Sequence, residues 1–306
     1  MQDNTKPTVG WIGMGRMGFP LASRLIDAGY SVAVYNRTKA KAKAKAEPLK
    51  ALGASLVDAP ELLANRDIVF SMVSTSDDLC EATMGKRGLF VNSDRAPRML
   101  VGASTISQEA SAEIRQSAQR HGTQYPAAPV SGNPETVRAG RLTVAVSGPW
   151  EAYTYASPLL ESWGRSVTYV GEGERARVVK IALNAYLAVS ANALLESIVL
   201  AEKAGVRRAD FLSFLNNSVI GSDFSRYKTH ALLSLDFTPT FTSDLLLKDL
   251  DLALSSAEDL QIEMSNVSLV RDFVAMEVRN GNIHEDFAAM ILTLAKAAHL
   301  ELQPEF

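Results

Sequence analysis

The sequence predicts an α/β amino-terminal domain built on a parallel sheet, joined by one long helix to an all-α carboxy-terminal domain. Three observations carry this expectation. Residues 8–35 read as a strand, a glycine turn, a helix and a second strand, and the apolar run at residues 67–73 continues the alternation. Residues 174–203 are apolar at helical spacing on nearly every face, as in a helix buried between other layers. From Arg207 onward the apolar spacing stays helical and shows no clear β alternation. With 306 residues the chain exceeds the usual size of a single core, so two domains are expected, residues 1–172 and 173–306.

The first element is residues 8–12 (TVGWI), which lead directly into Gly13, Met14, Gly15, Arg16, Met17 and Gly18. Residues 20–28 then have helical character ending at Gly29. In such a turn the first glycine permits the tight bend, the second lets backbone approach a pyrophosphate, and the third lets helix pack on strand. The anion would rest on the helix N-terminus, where free N–H groups and the dipole favour negative charge. The β run at residues 31–35 completes a βαβ unit, which raises dinucleotide binding above a merely tight turn.

At the end of that second strand an acidic residue would hold the ribose hydroxyls and repel a 2′-phosphate. This chain has Asn36, Arg37 and Thr38 instead. Arginine offers a planar cationic fork to a phosphate, with neutral hydrogen-bonding groups on either side. NADP(H) is therefore the expected cofactor, with NAD(H) possible; the alternative is a solvated surface arginine beside the lysine run KAKAKAKA at residues 39–46.

Strands are expected at residues 54–57 and 67–73, the latter in a sheet covered on both faces. Ligands bind beyond the carboxyl ends of such strands, which places Met72, Val73 and Ser74 near the adenosine side of the cofactor. Residues 99–101 lead to Ser104 and Thr105, hydroxyls suited to ribose or nicotinamide, and residues 108–121 read as a helix. Residues 127–133 (AAPVSGN) form a turn-rich stretch whose N–H groups and hydroxyl can hold a carboxylate, or can be an ordinary loop. Two more strands are read at residues 142–147 and 167–170.

The long helix would run about 45 Å. Lys180 and Asn184 stand out in it. Four residues apart, they project from one face one turn apart, like two functional groups offered to one ligand. Read from the helix alone, Lys180 is equally a cation paired with a carboxylate across a domain interface. Helices follow at residues 209–216, 225–235, 243–260, 266–279 and 285–299, with Lys248 and Asp249 mid-helix, by default a solvated charge pair. The apolar load of these helices permits a subunit interface.

Composition narrows the partners. A net charge of -3 and a pI near 5.9 offer no sequence-wide basic surface, so a small molecule rather than nucleic acid is expected. Cys80 is the only cysteine, which suits a reducing interior. The first residues, MQDNTKPTVGWIGMG, lack the charged-then-apolar run of a secretory signal, and a cytoplasmic location is expected. Asn184, Asn192 and Glu196 interrupt the most membrane-like segment, residues 181–201, so no membrane association is expected. His121, His230, His284 and His299 are scattered without metal-ligand spacing, and no metal is expected. The motifs of a P-loop, HExxH or GxSxG site are not found.

Taken in order, GWIGMGRMGFPLA with NRT, SMVS, ST, APVSG, AGRLT, KIALN and KDLDLAL span almost the whole chain. In this combination the chain resembles the β-hydroxyacid dehydrogenase family. The resemblance implies a Rossmann domain, a long interdomain helix, an all-helical second domain, and assembly as a homodimer or homotetramer. It implies that Lys180 is the catalytic lysine and Asn184 its substrate-orienting partner. Ser131 and Gly132 would hold a substrate carboxylate, with Asn133 beside them in the pocket. Thr105 would meet the ribose or nicotinamide, and Lys248 would reach substrate and cofactor. The chain departs from the family pattern at Ala185, where a second asparagine is usual. Gly102 and Ala127 stand where aspartate is frequent, Asn133 replaces a glycine, and Glu174 and Ala176 replace glycines at the start of the long helix.

The chemistry follows from residue types. In reduction, an ammonium at Lys180 would protonate the developing alkoxide; in oxidation, its neutral form would take the hydroxyl proton. Asn184 can donate and accept, which suits it to hold a substrate oxygen in line. The expected function is an NADP-dependent oxidoreductase transferring hydride between nicotinamide and a small β-hydroxyacid, semialdehyde or oxo acid bearing a carboxylate. One alternative is an imine reductase on the same scaffold, though such enzymes generally lack this lysine. The other is a non-catalytic NADP-binding sensor or scaffold, against which the presence of both Lys180 and Asn184 argues.

Overall fold

The computed structural model describes residues 6–37, 48–92 and 94–305. The chain divides into two compact units, Met1–Lys180 and Ile181–Phe306, the division falling inside the long helix.

In the first unit, strand β1 (Val9–Ile12) is buried at all four positions, as a strand covered on both faces must be. It pairs in parallel with β2 (Val32–Tyr35) on one side and β4 (Ile68–Ser71) on the other. The two-residue β3 (Ser55–Leu56) lies beyond β2, and β5 (Met99–Gly102) lies beyond β4, giving the order β3-β2-β1-β4-β5. The register sets Ile12 opposite Ser71, and Ser71 opposite Gly102, so three strands end level. Because the order runs outward on both sides of β1, the crevice for a ligand opens beyond β1 and β4.

Helix α1 (Gly18–Asp27) buries Leu21, Ala22 and Leu25, one face of a helical repeat, against the sheet core. Trp11, Phe70 and Trp163 pack there as an aromatic trio with ring centroids 5.1–5.8 Å apart. Helix α2 (Ser76–Met84) is capped by the Thr75 hydroxyl, and α3 (Gln108–Arg120) by that of Ser107. A second sheet contains β6 (Val130–Ser131), β7 (Leu142–Val146) and β8 (Gly164–Tyr169), with β6 antiparallel and β8 parallel to β7. It continues from the first, because Ala127 bridges both Gly102 and Ser147. Helices α4 (Pro134–Arg138) and α5 (Trp150–Leu160) complete the connections.

Helix α6 (Arg175–Lys203) is 29 residues long. It departs from the sequence expectation in one respect. Ile181, Ala185, Ala188, Leu195 and Ile198 enter the core of the second unit, but Val179, Leu183, Tyr186 and Leu200 are exposed, the last two by 72% and 74%. Only one side of the helix is therefore buried within the chain. Its length and apolar composition would also suffice to cross a membrane, but the buried side packs as the core helix of a folded unit.

The second unit adds α7 (Arg208–Asn217), α8 (Asp223–Ser234), α9 (Ser243–Asp259), α10 (Ser265–Arg279) and α11 (Met290–Ala297). The helix expected over residues 285–299 is shorter than its apolar pattern suggests. Asp286 is extended and caps a 3-10 turn at Phe287–Ala289. Its buried carboxylate takes N–H bonds from Thr240, Phe241 and Ala288 and pairs with buried Lys228. Burial pushes that carboxyl up, but Lys228 and the hydrogen bonds outweigh it and hold it below the usual carboxylate range.

Candidate active site

The glycine turn follows β1 and is specified by what cannot fit there. Gly13 has φ +98°, a region that favours glycine, and a Cβ on it would lie 2.2 Å from the Met72 carbonyl oxygen. A Cβ on Gly18 would lie 2.0 Å from the Gly13 carbonyl oxygen, whereas one on Gly15 would meet nothing within 4 Å. The first and third glycines are thus required by packing, and the second leaves backbone open to an approaching diphosphate. Helix α1 has Met17 at its N-cap, with no side-chain cap and no acidic residue in its first turn. Its first N–H groups suit an anion. Arg16 is exposed beside them. These residues fit the diphosphate of a nicotinamide dinucleotide.

The turn is tied to the end of β2. The Gly13 N–H donates to the Tyr35 carbonyl at 2.9 Å, and the Met14 N–H donates to Asn36 Oδ1 at 3.0 Å. Asn36 thereby shapes the turn. Arg37 is exposed and pairs with Asp78 of α2; Thr38 and the lysine run at residues 39–46 lie outside the described residues.

The neighbouring strand ends are laced together. The Met72 N–H bonds the Ile12 carbonyl at 2.9 Å, and the Ala103 N–H bonds the Ser71 carbonyl at 3.0 Å. The Val73 N–H donates to Ser104 Oγ at 2.8 Å, so Ser104 is a backbone tie. Met72, Val73 and Thr105 are half-buried and Ser74 is exposed.

In the loop after residue 127, Ser131 is half-buried and pairs with Thr143 across β7. Gly132 is exposed at φ +139°, and a Cβ on it would meet Thr136 Oγ1 at 2.2 Å. Asn133 is buried as the N-cap of α4: its Oδ1 accepts the Thr136 N–H at 2.9 Å, and its own N–H donates to Thr136 Oγ1 at 2.7 Å. This reciprocal cap commits the carboxamide oxygen to the helix and leaves Nδ2 for other contacts.

A charged network that sequence reasoning did not assemble surrounds the start of α6. Arg177 is 4% exposed, and its Nε donates to Glu174 Oε2 at 2.8 Å and Ser111 Oγ at 3.0 Å. Its Nη1 donates to the Ser104 carbonyl and its Nη2 to the Tyr125 hydroxyl, both at 2.9 Å. Arg115 pairs with Glu174 as well. Burial pushes the Glu174 carboxyl up, but the two guanidinium groups and the bonds from Arg115 and Ser111 hold it below its ordinary value. Burial also raises the Tyr125 phenol. A Cβ at Gly102 would come within 2.8 Å of Arg177 Nη2 and 2.9 Å of the Tyr125 hydroxyl. The guanidinium therefore fills the space where a residue larger than glycine would stand, and Glu174 supplies its carboxylate. Lys180, half-buried, follows Arg177 by one turn and ends the first unit.

In the second unit Asn184 is 3% exposed and donates Nδ2 to the carboxylate of Asp249, which is equally buried. Lys248 Nζ lies 2.9 Å from Asp249 Oδ1, an ion-pair contact in which that oxygen receives no aligned hydrogen bond. Asp249 is thus not half of a solvated pair. It fixes the Asn184 amide with the donor inward, leaving Oδ1 as its second functional end. The sequence offered no signal for this, because an Asp beside a Lys on a helix is most often exposed. Among the described residues no cluster of three or more metal-ligating side chains occurs.

These features can be set beside known proteins. The family model for the NAD binding domain of 6-phosphogluconate dehydrogenase matches residues 8–171. The model for the NAD-binding region of NADP-dependent 3-hydroxyisobutyrate dehydrogenase matches residues 174–294. An uncharacterized oxidoreductase of Bacillus subtilis is 33% identical over 92% of this chain and 97% of its own length. The 2-hydroxy-3-oxopropionate reductase of Escherichia coli is 28% identical over 96% of this chain and 99% of its own. The solved structure of Psf3 in complex with NADP+ and 2-OPP is 25% identical, with a TM-score of 0.82 over 94% of this chain and 99% of that one. The laced strand ends, the glycine turn and the two consecutive family matches lead to one conclusion: the chain belongs to the β-hydroxyacid dehydrogenase family and is an NAD(P)-dependent oxidoreductase.

Proposed function

We propose that the protein interconverts a small carboxylate-bearing oxo acid or semialdehyde and its hydroxyacid, with NADP(H) preferred over NAD(H). The observation that carries the reading is the glycine turn, open at Gly15 and continued at the end of β2 by Arg37 in place of an acidic residue. The bound nicotinamide supplies or accepts the hydride. Lys180 delivers the proton to the developing alkoxide in reduction and receives it in oxidation. Asn184, one turn further along α6 and held by Asp249, orients the reacting oxygen through its Oδ1 or through a shared Nδ2 bond.

Ser131 and the Gly132 backbone hold the carboxylate, and Thr105 meets the ribose or nicotinamide. Lys248 is a further cation for substrate and cofactor. We also propose a homodimer or homotetramer, supported by the exposed apolar side chains Tyr186, Leu200, Phe214 and Ile220.

The test is NADPH and NADH oxidation with glyoxylate, succinic semialdehyde, methylmalonate semialdehyde and a set of cyclic imines. Turnover of a carboxylate-bearing aldehyde, with the higher kcat/KM for NADPH, is the expected result. Turnover of imines alone would make the protein an imine reductase, and saturable cofactor binding without turnover of any of these would favour a sensor. A higher kcat/KM with NADH would remove the cofactor assignment.

A further inference from the structure

Asp78, in the first turn of α2, has no role in the reading above. Arg37, beyond the carboxyl end of β2, directs Nη1 to Oδ1 of Asp78 in the first turn of α2. The Arg37 side chain is 71% exposed and that of Asp78 only 20%, so a largely covered carboxylate holds a surface guanidinium. The backbone of Asp78 is fixed, since its N–H donates to the capping Thr75 hydroxyl at 3.1 Å, and the helix N-terminus favours its negative charge.

We propose that Asp78 is a specificity-determining residue for the cofactor, competing with the ribose 2′-phosphate for Arg37. This rests on the reading that Arg37 faces that phosphate. A 2′-phosphate on Arg37 shares the guanidinium with the Asp78 carboxylate or takes Nη1 from it, and in either case stays close to that carboxylate. A ribose hydroxyl brings no charge and leaves the Arg37–Asp78 pair intact. Asp78 therefore weakens NADP(H) binding without touching NAD(H) binding, and narrows the discrimination that Arg37 creates.

Two opposing effects set the sign. Asp78 preorders Arg37, which would help a phosphate, and repels the phosphate, which hinders it. Exposed ion pairs contribute little, so the gain from ordering is small. Repulsion between unit charges a few ångströms apart in water is worth roughly a factor of five in binding, and a phosphate carries close to two charges. Repulsion wins.

The experiment measures dissociation constants for NADPH, NADH and 2′,5′-ADP by titration of the wild-type chain, Asp78→Asn, Asp78→Ser, Asp77→Asn and Arg37→Ala, each checked by its melting temperature. Asp77 is exposed and one residue earlier in the same helical turn, so its substitution removes the same charge without touching the Arg37 pair. Both Asp78 variants are expected to bind NADPH and 2′,5′-ADP about three- to tenfold tighter, with NADH moved less than about twofold. The gain is expected to shrink as salt rises, and Asp77→Asn to give a clearly smaller shift.

Unchanged or weaker NADPH binding in the Asp78 variants, or an equal shift for NADH, overturns the proposal. So does an equal shift in Asp77→Asn. If Arg37→Ala fails to weaken NADPH relative to NADH, the reading of Arg37 itself falls. If Arg37→Ala weakens NADPH while the Asp78 variants do not strengthen it, that reading stands and only the role of Asp78 is lost.

Discussion

The turn after β1 and the Asn184–Asp249 pair hold functional groups in opposite ways. The turn in the first unit is made by backbone: Gly13 and Gly18 leave no room for a Cβ, and the turn's own amides at Gly13 and Met14 tie it to the Tyr35 carbonyl and to Asn36. The pair in the second unit is made by side chains: a buried amide meets a buried carboxylate between α6 and α9. A backbone site fails when an atom is added at a position with no room for it, as at Gly13 or Gly18. A side-chain site fails when a partner is removed.

Gly18→Ala puts that contrast to its strongest test. The new methyl cannot be placed without moving the Gly13 carbonyl, so stability should fall by about 3 kcal/mol, with NADPH binding lost in the protein that still folds. Calorimetry and cofactor titration check it. An alanine tolerated at both levels would show that the turn is looser than its packing indicates.

A smaller effect is expected in the second unit. Asp249→Ala leaves the Asn184 amide buried without its acceptor, which should lower stability by about 1–3 kcal/mol in denaturant unfolding. Cofactor affinity measured on the same variant should shift less than in Gly18→Ala, since Gly13–Gly18 and Arg37 are untouched and, among the groups assigned to the cofactor, only Lys248 loses an ion pair. A change in stability too small to measure would mean that water replaces the carboxylate and that the pair is not what holds Asn184.

The same contrast explains what could be read in advance. The β1–turn–α1–β2 unit was legible because glycine sterics and strand hydrophobicity act over a few neighbouring residues. Helices α2 and α4 escaped the reading although Thr75 and Asn133 cap them, since short polar segments carry too weak an apolar period. Pro158 lies inside α5 and breaks the usual helical pattern. Asp286 cut short the helix expected over residues 285–299, because its buried bonds to Lys228 and to distant backbone outweigh local propensity. The substitutions at Gly102 and Glu174 looked unrelated along the chain. In space they are joined, since the Arg177 guanidinium fills the room beside one and bonds the other. Contacts of that kind depend on tertiary packing, which a single sequence does not spell out.

The proposed chemistry turns on Lys180 moving the proton, and the most direct measurement is kcat and NADPH affinity together for Lys180→Ala, using whichever aldehyde of the panel the wild-type enzyme reduces. Turnover should fall by about 10²- to 10⁴-fold while NADPH affinity stays near wild type. Turnover close to wild type would contradict the assignment and place the proton donor elsewhere.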